Sequence, residues 1–183
     1  MKEIELALSV KRWRRQVTLF VPGAAAGVLE PIRQRLDPIQ HGLIPAHVTL
    51  CRDDEIGELP LAEFEVRLAQ IALPPLTLQF GPPELFAGHG ILLPCIAGMS
   101  RFQQLRVALL GPEATGTRHA HITLAHPRNP RAPGNVIPTQ ELLTGPLTIK
   151  FATVSLIEQT DGLPWQVRSE YDFPAMEPIN RPR

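Results

Sequence analysis

His47-Val48-Thr49-Leu50 and His121-Ile122-Thr123-Leu124 are two copies of one tetrapeptide, His-x-Thr-Leu. In each, an aliphatic residue separates histidine from threonine, which is the period of a β-strand. His and Thr then share one face, while Val48, Leu50, Ile122 and Leu124 share the other. One such stretch is an ordinary half-buried strand. Two, each with a helical pattern upstream, predict two related strands in a duplicated fold.

Outward from the first copy, Arg14 to Val21 reads as a strand closed by Pro22-Gly23, and Ala24 to Leu36 as a helix carrying Val28, Ile32 and Leu36. Pro31 should kink that helix or mark a restart, and Asp37 to Gly42 reads as a break. The first motif strand spans about Pro45 to Arg52, and the acidic turn Asp53-Asp54-Glu55 follows. Leu61 to Leu73 carries Leu61, Phe64, Leu68 and Ile71 at helical spacing and stops at Pro74-Pro75.

Around the second copy, Leu76 to Phe80 and Glu84 to Ile96 read as strands, with a tight hairpin at Gly88-His89-Gly90. Ser100 with Gln103 matches a capping box for a helix over Arg101 to Leu110. The second motif strand spans about Arg118 to His126. A loop from Pro127 to Pro138 and a short helix near Thr139 to Leu143 come next. Two closing strands are expected, Leu147 to Gln159 and Trp165 to Phe173, joined at Asp161-Gly162.

The helices start 23 and 20 residues before His47 and His121, from the differences 47 − 24 and 121 − 101. The order of elements therefore repeats. The expected fold is α+β: one bilobal domain over 1–183, with β-α-β-like pseudo-repeats at about 14–75 and 76–173. Two small antiparallel sheets would surround a central groove, and 174–183 would form a loose tail.

Composition narrows the function. Eighteen basic and eighteen acidic residues cancel, which argues against a broad nucleic-acid surface while leaving room for a local basic patch. No apolar run approaches the roughly 20 residues that span a bilayer, and the acidic start Met1-Lys2-Glu3-Ile4-Glu5 is unlike a secretory signal. Cys51 and Cys95 form neither a disulfide framework nor a zinc spacing, so two reduced thiols in a cytoplasmic protein are expected.

Two imidazoles and two hydroxyls at one cleft suit acid–base chemistry on a phosphodiester. One neutral imidazole activates the attacking oxygen, and a protonated one supplies the proton that the leaving oxygen needs. An unperturbed pKa near 6.5 lets histidine do either. Thr49 and Thr123 can donate hydrogen bonds to the non-bridging phosphate oxygens. The scheme needs no metal or other cofactor. A metal site built from His119, His121 and His126 would lack matching carboxylates or thiols.

In this doubled His-x-Thr motif the chain resembles the 2H phosphoesterase superfamily, the group of the RNA 2′,5′-ligase-like cyclic phosphodiesterases, over roughly Arg14 to Phe173. The resemblance implies a metal-independent enzyme that hydrolyses or forms 2′,3′-cyclic or 2′,5′ phosphodiester bonds, with a 2′-phosphate as the hydrolytic product. It implies His47 and His121 as the acid–base pair and Thr49 and Thr123 as phosphate ligands. Arg52 and His126, each five positions after its motif histidine, correspond to a basic position in the family; Arg118 precedes the second copy. His119 shares the face of His121, whereas His41 and His89 fall in turns.

The group Lys11-Arg12-Trp13-Arg14-Arg15 pairs cations with an aromatic and offers an RNA contact, and Arg128 and Arg131 could extend a basic rim. The expected partner is an RNA end or a small cyclic nucleotide-type phosphodiester, met by a monomer. A non-catalytic RNA- or nucleotide-binding module on the same fold is the alternative.

Overall fold

The computed structural model describes residues 13–57, 59–114, 118–128, 131, 142–143 and 145–174. Nine strands and five α-helices occur among them: β1 (Trp13–Phe20), α1 (Gly23–Leu36), α2 (Pro38–Leu43), β2 (His47–Cys51), α3 (Asp53–Ile56), α4 (Leu61–Ala69), β3 (Leu76–Phe80), β4 (Glu84–Phe86), β5 (Gly90–Ala97), α5 (Met99–Leu110), β6 (His121–Ala125), β7 (Leu147–Phe151), β8 (Thr153–Thr160) and β9 (Gln166–Asp172). No helix among the described residues is long and apolar enough to cross a membrane. The short helix expected near 139–143 and the tail over 175–183 fall largely or wholly outside the described residues.

The strands form one continuous antiparallel order, β7-β3-β5-β6-β2-β1-β8-β9, with β4 added on β5. That order is a palindrome in structural role. The motif strands β2 and β6 sit side by side at its centre, and each is flanked outward by the strand that precedes its own helix, β1 or β5. The two sheets expected from the sequence are therefore two lobes of one sheet, joined at a seam where Val48 pairs with Ile122. β3 lies in the lobe of β5, within the same pseudo-repeat, whereas β8, from the second half, lies beside β1. The second half thus completes the sheet of the first.

The core lies between one face of this sheet and the helices. Val48, Leu50, Ile122 and Leu124 are buried in it, as the alternation requires, together with Phe64, Phe80, Phe102 and Phe151. Each fully buried Leu or Phe contributes about 2–3 kcal/mol relative to exposure.

Several local expectations change. α1 runs unbroken through Pro31, and it buries Leu29, Arg33 and Leu36, whereas Val28 is exposed. An arginine on the inner face conceals that stripe from a hydrophobicity pattern. The break after Leu36 is the short helix α2, whose first turn is closed by Asp37 Oδ1 accepting from the Gln40 N–H at 3.2 Å. α5 starts from Gly98 rather than Ser100. Gly98 adopts φ +96°, and a Cβ there would lie 2.4 Å from the Thr77 oxygen, so only glycine makes this entry. Gln103 reaches the Arg118 carbonyl at 2.6 Å and forms no capping box. The single strand expected over Leu147 to Gln159 divides at Ala152 into β7 and β8, which join opposite lobes.

Candidate active site

Extending the antiparallel Val48–Ile122 register by one residue on either side sets His47 opposite Thr123 and Thr49 opposite His121. All four are half-buried on the face of the sheet opposite the helices, beside fully buried neighbours on the core face. The structure therefore brings the two motifs together at the seam. The field of His121 is felt at His47, where it opposes protonation.

The two imidazoles are held in the same way. His47 Nδ1 donates to the carbonyl of Pro45 at 2.8 Å, and His121 Nδ1 to that of His119 at 3.0 Å. A carbonyl only accepts, so Nδ1 carries the proton in both rings and Nε2 is left for chemistry. Each ring also lies beside a phenylalanine: Phe20 edge-on to His47 at 6.4 Å between centroids, and Phe86 tilted against His121 at 6.3 Å. Burial, aided by the charges of Arg33 and His121, pulls the His47 pKa from 6.5 down to about 4, despite the opposing Pro45 bond and Glu30. His47 is thus neutral at neutral pH.

The walls around the threonines differ. Gln16 Nε2 donates to the Thr49 hydroxyl at 3.0 Å, which leaves that hydroxyl's own proton free to point at a ligand. Thr18 is buried beside it and donates to the Val48 carbonyl at 3.1 Å. The position in the second lobe that corresponds to Gln16 is Gly90. A Cβ on Gly90 would lie 2.2 Å from the Phe86 ring, so this glycine makes room for the aromatic beside His121. One side of the site is polar and the other is aromatic. Gln16 was not singled out in the sequence, although its alternation with Thr18 on β1 is the signal that finds it.

Both motif strands carry a β-bulge at the same place. Thr18 pairs with Thr49 and Val17 with Cys51, so Leu50 is the extra residue; Leu92 pairs with Thr123 and Ile91 with Ala125, so Leu124 is extra. Leu50 and Cys51, like Leu124 and Ala125, are consecutive and buried. The bulge resets alternation, and residues five positions after the histidines return to the open face. This is how Arg52 and His126, at an odd offset, rejoin the side of the motifs.

Their bonding differs. Arg52 is exposed and paired with Asp54 at 3.0 Å. His126 Nδ1 accepts from the Arg128 N–H at 3.1 Å, and burial, together with the nearby cations Arg128 and Arg14, lowers its pKa. Arg118 donates to Glu55 Oε1 at 3.0 Å. Burial by itself would raise the Glu55 pKa, but hydrogen bonds from Arg106, the Arg52 N–H and Arg118 bring it down to about 2.

His119 contributes its carbonyl to His121. His41 lies in α2 rather than a turn, 3.6 Å from Glu30, whose other oxygen accepts from the Ala46 N–H beside the first motif, and His89 sits in the β4–β5 turn. Among the described residues no group of three or more His, Cys, Asp or Glu is placed to hold a metal, so His119, His121 and His126 do not form one. Cys51 and Cys95 are free thiols, each with its pKa raised by burial.

A family model described as the 2′-5′ RNA ligase superfamily matches residues 20–163. No curated protein matches the chain. Among solved structures, a Thermus thermophilus protein is similar with TM-score 0.59 and 18% identity, over 90% of this chain and 100% of that one. E. coli LigT complexed with phosphate is similar at TM-score 0.54 and 14% identity, over 90% and 99% of the two chains. E. coli LigT complexed with 3′-AMP gives 0.55 and 14%, over 88% and 98%. At these identities the likeness is one of fold.

Proposed function

We propose that this chain, which belongs to the 2′-5′ RNA ligase superfamily, is a metal-independent phosphodiesterase acting on 2′,3′-cyclic or 2′,5′ phosphodiester bonds in RNA ends or nucleotides. The observation that carries the reading is the matched pair of Nδ1–carbonyl bonds, which leaves two Nε2 atoms for proton transfer at one seam. Captured phosphate and 3′-AMP on the similar LigT fold support a nucleotide-type substrate.

The lowered pKa of His47 supports giving it the role of base. Held neutral, its Nε2 takes the proton of a water molecule whose oxygen attacks phosphorus. The bond from phosphorus to one ribose oxygen breaks, and His121 Nε2 delivers a proton to that oxygen. Thr49 and Thr123 hydroxyls hold the non-bridging oxygens and stabilise charge as it grows in the transition state. Arg52, Arg118 and His126 are assigned to the rim, where they meet the rest of the substrate. In the ligation direction the same two proton transfers run in reverse.

The test is incubation with nucleoside 2′,3′-cyclic phosphates in the presence of EDTA. Turnover to a nucleoside monophosphate is expected. Tight binding with no product after long incubation would favour the non-catalytic binding module instead.

A further inference from the structure

The cations around the site are not equally free. Arg33 and Arg106 are buried against Glu30 and Glu55, Arg15 is paired with Glu158, Arg52 with Asp54, and Arg118 with Glu55. Arg14 differs. Among the described residues no carboxylate lies within ion-pair distance of it; its guanidinium contacts Gln159 Oε1 at 3.5 Å and sits 5.4 Å over the Trp165 ring.

Arg14 also faces the right way. It alternates with Gln16 and Thr18 along β1, and Gln16 touches the Thr49 hydroxyl. Arg14 is one open-face position beyond Gln16, or ~7 Å along the strand, which is close to the spacing of successive phosphates in a nucleic-acid chain. Its opposite partner on β8 is Gln159, buried on the same face. Its charge reaches His126 from across the seam. Trp13 and Arg15, the alternate residues, point to the other face, where Arg15 stacks 4.2 Å over Trp13. The basic, aromatic start of the described chain is thus split, with one arginine turned toward the motifs. Lys11 and Arg12 lie outside the described residues.

Trp165 is half-buried, and its backbone N–H donates to the Leu43 carbonyl at 2.9 Å, which ties its main chain to the end of α2. An indole beside a guanidinium that no described carboxylate neutralises is suited to recognise a base and a phosphate together, because the first stacks and the second pairs.

We propose that Arg14 and Trp165 form a second subsite for the nucleotide adjoining the reacting phosphodiester, so that the preferred substrate is an RNA end bearing a further phosphate rather than a lone nucleoside cyclic phosphate. The proposal rests on the two-histidine reading for which bond reacts, but binding alone can test it.

The chain has two tryptophans, Trp13 and Trp165, so Trp13→Phe leaves Trp165 as the sole indole reporter. In that background, a dinucleotide ending in a 3′-phosphate should quench the emission and bind about tenfold more tightly than a nucleoside 3′-phosphate. Arg14→Gln should bring the two affinities within about twofold of each other, and Arg14→Lys, which keeps the charge, should restore part of the gap. With cyclic-ended substrates, the dinucleotide preference in kcat/KM should lie in KM and collapse in Arg14→Gln. Equal wild-type affinities, or an Arg14→Gln loss shared equally by both ligands, would overturn the subsite. Hydrolysis without the preference would remove the subsite and leave the reaction standing. The affinity gap without hydrolysis would do the opposite.

Discussion

Arg33 on α1 donates its Nε–H to the carbonyl oxygen of Thr123 on β6, 3.2 Å away, tying the helix of the first half to the motif strand of the second. Arg106 on α5 makes the reciprocal bond to the Leu50 carbonyl on β2. Both guanidiniums are buried and paired with a carboxylate, Glu30 or Glu55. Between β2 and β6 the register runs through the Val48–Ile122 pair, and the Arg118–Glu55 bond and the His126 N–H to Asp37 also cross between the halves. The bulges beside these carbonyls leave the strands without a regular ladder there, and the two arginines supply the missing donors. The geometry of the candidate site therefore depends on buried helix residues outside the motifs.

Arg33→Met and Arg106→Met should each lower the unfolding free energy by about 3 kcal/mol, because each strands a carboxylate and a carbonyl together. Urea denaturation measures this. A loss under about 0.5 kcal/mol for either would show that strand pairing alone holds the seam.

Gln16→Leu should leave the fold intact and reduce kcat/KM by about tenfold, since the Thr49 hydroxyl loses the donor that orients it. The loss should appear in kcat if Thr49 meets the phosphate chiefly in the transition state. An unchanged kcat/KM would remove Thr49 from that role.

Acid should act on the site through His47. The acid limb of kcat/KM should have its midpoint near pH 4, where His47 Nε2 takes up a proton and ceases to be a base. Arg33→Met removes one of the cations that depress this pKa, so the midpoint should move upward. Stability follows the same group. Between about pH 4 and 6.5 the unfolded imidazole binds a proton that the folded one refuses, so stability rises with pH across that window. Because the ring is only half-buried, the part of this due to His47 should be about 1–2 kcal/mol. A His47→Gln variant with the same pH–stability curve would contradict this.

Below that window Glu55 takes over. Its carboxylate, held down to about pH 2 by Arg106, the Arg52 N–H and Arg118, stabilises the fold above its unfolded value of 4.5 and loses that effect as pH falls through about 2. Glu55→Gln should flatten the stability curve between pH 4.5 and 2.

The motif strands, their facing and the repeat order were legible because His-x-Thr-Leu imposes a period of two on both copies. The crossing of β8 into the first lobe was not, since no local pattern says which sheet a strand joins; Ala152, where β7 passes into β8, carries no turn signal. The inner face of α1 was misread because Arg33 stands where an apolar residue would be expected. The bulges were invisible for a related reason: Leu50-Cys51 and Leu124-Ala125 read as apolar strand ends until their partners show which residue is extra. Gln16 became a candidate only when β1 was placed beside β2.

The most direct test of the central claim is the rate of 2′,3′-cyclic nucleotide hydrolysis, with EDTA present, by wild type, His47→Ala and His121→Ala. Each substitution should lower kcat by about 10²–10⁴ while leaving the fold intact by circular dichroism. The double variant should be little worse than either single one, because the two groups act in one step. Rates in either single variant within about twofold of wild type would contradict the two-histidine mechanism.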